Sequence, residues 1–146
     1  MLGQAHLPHG CSKGLKALAA VPKHQSTDAI SKTIDAAVEY LLIHRVYKRS
    51  HYLRRVSKPG WRKLSFPLMY QTDILEILDI LTALGVRDPR MDDAVSVVLS
   101  KQTESGRWLC ENSYANERIL VPLEYLAQES KRLTLRALCV LRRFYG

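Results

Sequence analysis

The stretch Thr72-Asp-Ile-Leu-Glu-Ile-Leu-Asp-Ile-Leu-Thr-Ala-Leu84-Gly85 decides the fold. Its apolar residues, Ile74, Leu75, Ile77, Leu78, Ile80, Leu81 and Leu84, run almost all the way round a helix. That pattern predicts a helix over 72–84 buried on several sides. Gly85 supplies the stop, because glycine enters the left-handed region after a helix without strain. Downstream, Asp88-Pro89 is a start signal, with Asp as N-cap and Pro at the first helical position. The helix it opens runs through Val95, Val98 and Leu99 to about Thr103. Upstream, Ile30, Ile34, Ala37, Val38, Leu41 and Leu42 give a helical period over Asp28 to Val46, opened by Ser26 or Thr27. Two more helices are predicted. One spans Cys11 to Val21 and is stopped by Pro22; the other runs from Ser130 through Leu133, Leu135, Leu138 and Leu141 to the end. No alternating strand pattern is visible. Two long connections, Tyr47 to Met69 and Glu104 to Glu129, either carry function or pack over helix ends through their aromatics.

The helices fall into a repeat. Leu15-Lys-Ala-Leu18, Leu75-Glu-Ile-Leu78 and Leu135-Arg-Ala-Leu138 follow one another at a constant interval of sixty residues. A second type of element recurs between them, Ala37-Val38 to Arg45 matching Ala94-Val95 to Gln102. A lone helical hairpin cannot bury both its faces, so stacking is expected. The predicted class is therefore all-α: stacked helical hairpins in a curved arc, formed by residues 11–146 as one domain behind a flexible segment 1–10.

Composition sets the outer limits. The chain has 146 residues and a net charge of +8, with 47% hydrophobic and 25% charged residues. These values suit one globular domain and exclude collagen-like or wholly disordered sequence. No apolar run is long enough to span a membrane. Met1 to Gly10 shows no secretory pattern. Cys11, Cys110 and Cys139 are an odd number without a CxxC pair, which speaks against a disulfide framework and for a reducing cytoplasm.

Gln102-Thr-Glu-Ser-Gly106-Arg-Trp108 is a Q-x3-G-x-W motif. It resembles the repeat signature of the terpene cyclase and protein prenyltransferase superfamily, and the chain from about Cys11 onward is similar to bacterial prenyltransferase/squalene oxidase repeat proteins of unassigned function. The resemblance implies an α/α-toroid-like architecture. Gln102 would bond free backbone groups of a neighbouring hairpin, Gly106 would make the left-handed turn, and Trp108 would plug the space between repeats. In the first repeat Arg45 stands in place of Gln and Gly60-Trp61 follows only after an insertion. The Asp-x-Asp-Asp motif of the protonating cyclases is absent, since Arg90 precedes Asp92-Asp93. The chain is also short for a closed toroid. The expectation is an incomplete arc, either part of a longer toroid or completed by self-association. Its concave face would take a ligand or a protein partner, and the resemblance alone suggests an isoprenoid-like ligand.

Three constellations are candidates for chemistry. Asp73, Glu76 and Asp79 recur three apart on the apolar helix. Either they are a solvated or salt-bridged stripe, or Asp73 or Glu76 acts as a general acid on an apolar substrate. The basic run Arg45, Lys48, Arg49, His51, Arg54, Arg55, Lys58, Arg62 and Lys63 is interleaved with Tyr47, Tyr52 and Trp61. It is either a solvated surface or a site for an anionic ligand, nucleic acid included. The residues assigned to ligand binding are Trp61, Tyr70, Arg54, Arg55 and Arg62. Finally, His6, His9 and Cys11 are metal-ligand types, but no matching pair lies nearby, so neither a metal nor a cofactor is predicted.

Overall fold

Asp73 begins the central helix. In the computed structural model, which describes residues 7–49, 52–115 and 119–146, its Oδ1 accepts the Glu76 N–H at 2.8 Å. Helix α3 (Ile74–Ala83) follows and buries Ile74, Leu75, Ile77, Leu78, Ile80 and Leu81. Its all-round apolarity is met by neighbours on several sides. α1 (Leu7–Ala19), α4 (Asp92–Ser100) and α5 (Lys131–Tyr145) all pack against it, and α2 (Asp28–Ile43) packs on α1.

Helix starts follow the local capping chemistry. Thr27 accepts from Ile30 N at 3.3 Å, and Ser130 Oγ accepts from Leu133 N at 3.1 Å. Asp88 caps a 3-10 turn at Pro89–Met91, and α4 proper begins at Asp92. Helix ends move further from expectation. α2 stops at Ile43 because Arg45 and Val46 turn into the left-handed region, with φ of 44° and 72°. Their N–H groups still satisfy the last carbonyls, bonding Leu42 O and Leu41 O at 2.9 Å. At the other end, α1 reaches back to Leu7, so only residues 1–6 of the segment expected to be flexible lie outside the described residues.

The all-α arc is corrected. The first long connection contains an antiparallel pair, β1 (Lys48–Arg49) and β2 (Tyr52–Val56), in the register Lys48 with Val56 and Arg49 with Tyr52. The architecture is therefore mixed: α1, α4 and α5 gather on α3, α2 packs on α1, and a two-stranded sheet is added. β2 shows no alternation because Tyr52 to Arg55 are all exposed, so neither face selects apolar residues.

The two long connections then zip together beyond the sheet. Glu111 N donates to Leu64 O at 2.9 Å and Phe66 N donates to Asn112 O at 3.1 Å. Leu64 N is also bonded by Glu111 Oε2 at 2.7 Å. The buried aromatics Trp61 and Trp108 anchor these segments in the core. Gly106 makes the left-handed turn at φ 79°, and Trp108 Nε1 donates to Val98 O at 2.7 Å. Gln102 departs from expectation. Its Nε2 donates to Gly106 O at 3.1 Å, which closes its own turn and bonds no neighbouring hairpin.

Candidate anion-binding surface

The carboxylates assigned to catalysis are built into the fold. Asp73 is fully buried. Besides capping α3, it accepts the Ser65 N–H at Oδ2, 2.8 Å away. Burial pushes its pKa up, the two backbone donors and Arg136 pull it down, and the balance lies at about 6. Glu76 is also buried, and Lys13 from α1 reaches both its oxygens at 2.7 and 2.8 Å while Lys16 stands at 3.2 Å. Burial raises the Glu76 pKa, but the two lysines outweigh it and hold the group below the usual carboxylate range. Asp79 pairs with Arg143 at 2.7 Å and Arg136 at 3.7 Å. The stripe is thus a set of clamps from α3 to α1 and α5.

A cleft of about 240 Å³ lies between α1 and α3, lined by Lys16, Ala19, Ala20, Asp79, Ile80 and Ala83. It falls below the few hundred Å³ that enclose most small-molecule ligands. Both of its charged residues are already in ion pairs.

The basic connection is different. From Tyr40 to Thr72 the chain has no Asp or Glu, but eight Lys and Arg residues. The other fourteen cations equal the fourteen acids of the whole chain, so the net charge of +8 resides in this one segment. Elsewhere several acids hold cations: Glu39 and Asp88 share Arg90, Glu111 holds Lys101, Glu124 holds Arg132 and Glu129 holds Arg107. Within the segment Lys48 pairs with Asp93 at 2.9 Å. Arg45, Arg49, Arg54, Arg55, Arg62 and Lys63 are exposed, and none of them is in an ion pair among the described residues.

The hairpin that carries them is fixed at its base. Tyr47 is buried and its hydroxyl donates to Asp93, next to the Lys48 ion pair. Burial first, then this bond to a carboxylate, pushes the Tyr47 pKa up to about 12. Asp93 is held below the ordinary range, because the bonds from Tyr47 and Lys48 outweigh its burial. Ser57 Oγ closes the ribbon by donating to Lys48 O at 2.8 Å.

Of the residues assigned to ligand binding, Arg54, Arg55 and Arg62 are all exposed, the first two on β2 and Arg62 at the end of the 3-10 turn Pro59–Arg62. Trp61 does not join them, since it is 2% exposed and belongs to the core. Tyr70 is exposed but stands just ahead of α3, outside the hairpin. Tyr52 is the aromatic side chain the hairpin exposes, with the Arg55 guanidinium over its ring at 5.8 Å. The role of Tyr47 and Asp93 as an anchor escaped sequence reading, because nothing local links residues so far apart. His6 and the side chain of His9 lie outside what the structure describes, and among the described residues no cluster of His, Cys, Asp and Glu could hold a metal.

No known family model, curated protein or solved structure matches this chain. The resemblance to the terpene cyclase and prenyltransferase repeats rests on its motif residues alone. No helix among the described residues is long and apolar enough to cross a membrane.

Proposed function

We propose that this chain is a binding module that holds the phosphate backbone of a nucleic acid on the basic hairpin and its flank, residues 45–63. One observation carries the reading: the whole net charge sits in one acid-free segment, whereas eight of the thirteen described cations elsewhere are in ion pairs. Unpaired guanidinium groups are suited to phosphate, because their planar donors make charge-assisted bonds. A two-stranded ribbon exposed on both faces can lie along a backbone or enter a major groove. With Trp61 and Tyr47 in the core, stacking is limited to Tyr52, so the affinity is mainly electrostatic and little dependent on base sequence.

Catalysis by Asp73 or Glu76 has no comparable support, since each carboxylate is occupied by bonds that hold helices in place. The three free cysteines fit a reducing compartment such as the cytoplasm.

Fluorescence anisotropy with a labelled oligonucleotide across a salt series tests the proposal. Four to six engaged cations give a log–log salt slope of about −3 to −5. Arg54→Gln with Arg55→Gln flattens that slope by about 1.5 to 2 and weakens binding similarly on every sequence. A salt-independent affinity, or a double variant that binds like the parent chain, removes the idea.

A further inference from the structure

A second exposed surface, formed by the second long connection and α5, is apolar. Leu120 is 99% exposed, and Val121, Tyr125 and Leu126 are between 59% and 67% exposed. This loop is tied to the first turn of α5: Arg132 Nη1 donates to Leu123 O at 3.0 Å and pairs with Glu124 at 3.2 Å. α5 continues the apolar surface with Leu135 and Leu138, 66% and 47% exposed. Lys131 lies one turn before Leu135 and Arg142 one turn after Leu138, on the same helix face. Neither cation is in an ion pair among the described residues. Exposed large apolar side chains gathered on a loop and on the helix it is tied to mark a contact surface.

Its chemistry selects the occupant. A second copy offers a poorer match. Two such patches face to face would oppose like charges, Lys131 and Arg142. The exposed acids in no ion pair among the described residues, Asp28, Asp35, Asp92 and Glu104, lie on or beside α2 and α4, whose exposed large apolar side chains are only Ile43 and Leu99. Exposed leucines on α5 flanked by free cations, with the exposed Leu120 on the loop tied to that helix, instead match a surface that is anionic at its boundary and apolar beneath. We infer that the 120–126 loop and the outer face of α5 dock on an anionic lipid surface. The leucines enter the acyl boundary while Lys131 and Arg142 reach the headgroups. This inference is independent of the hairpin's proposed role.

The test is co-sedimentation of the full chain with phosphatidylcholine vesicles, with and without phosphatidylserine. The chain is expected to pellet with the mixed vesicles and stay in solution with the neutral ones. Leu120→Ser with Leu126→Ser, and separately Leu135→Ser with Leu138→Ser, should each cut partitioning at least tenfold. These side chains are already largely exposed, so an unchanged circular dichroism spectrum and melting curve are expected alongside. Arg54→Gln with Arg55→Gln should keep vesicle binding while losing nucleic-acid affinity, which separates failure of this inference from failure of the first. The inference is overturned if the serine variants pellet like the parent chain, if the hairpin variant alone abolishes pelleting, or if the parent chain stays in solution. Light scattering that shows a dimer dissolved by the serine substitutions overturns it equally.

Discussion

Asp73 stands at the start of α3 with both oxygens occupied, yet it is sealed from water. Its two backbone bonds favour the ionised form and its burial opposes it, and the folded pKa of about 6 says that burial prevails. The unfolded value is near 3.8, so between these two values the folded state binds the proton more tightly. The stabilising contribution is then full below about pH 4 and is lost as pH rises through 6. Asp73→Asn keeps an N-cap acceptor but cannot titrate. Urea titrations across pH 4 to 7 should show the parent chain gaining about 3 kcal/mol on the variant as pH falls. A constant difference would show that the carboxylate does not change its proton in this range. Glu76 has the opposite sign, with its contribution present above its unfolded value of 4.5 and lost as pH falls through its depressed folded pKa, and it is common to the parent chain and the variant.

At the level of elements, what could be read in advance was whatever depends on neighbours in the chain. Thr27, Asp88-Pro89 and Ser130 cap their helices because a cap involves residues two or three apart. Gly106 turns because its own backbone must, and Trp108 folds back only ten residues to Val98. The hairpin was invisible for the opposite reason: exposed on both faces, it carries no burial pattern, and its anchor joins Tyr47 to Asp93 across the fold. The same applies to Glu76, whose lysine partners lie on α1, and to Trp61, whose burial depends on how two distant connections zip together. The basic surface was legible as composition, whereas the freedom of its cations required the ion pairs of the rest of the molecule. The anchor itself can be tested. Tyr47→Phe keeps the buried ring and removes the bond to Asp93, costing about 1 kcal/mol. Hydrogen exchange should quicken across 48–57 and leave α3 unchanged; protection lost evenly over the molecule would deny the hairpin an anchor of its own.

For the molecule as a whole, folding and charge lie in different places. The core gathers on α3, where buried aliphatics and clamped carboxylates hold α1, α4 and α5, and none of the six exposed cations of 45–63 contributes a side chain to it. A surface charge that pairs with nothing adds little to stability, and six of one sign in one region repel each other. None of the six is in an ion pair among the described residues, which is the physical ground for assigning them to an anion outside the chain. Replacing Arg45, Arg49, Arg54, Arg55, Arg62 and Lys63 together by Gln lowers the net charge from +8 to +2. Stability should stay within about 1 kcal/mol of the parent or rise slightly. Retention on a cation exchanger and affinity for oligonucleotide should both collapse. If the variant instead unfolds, these cations serve the fold through contacts with the chain, and the case for an external phosphate backbone is lost with them.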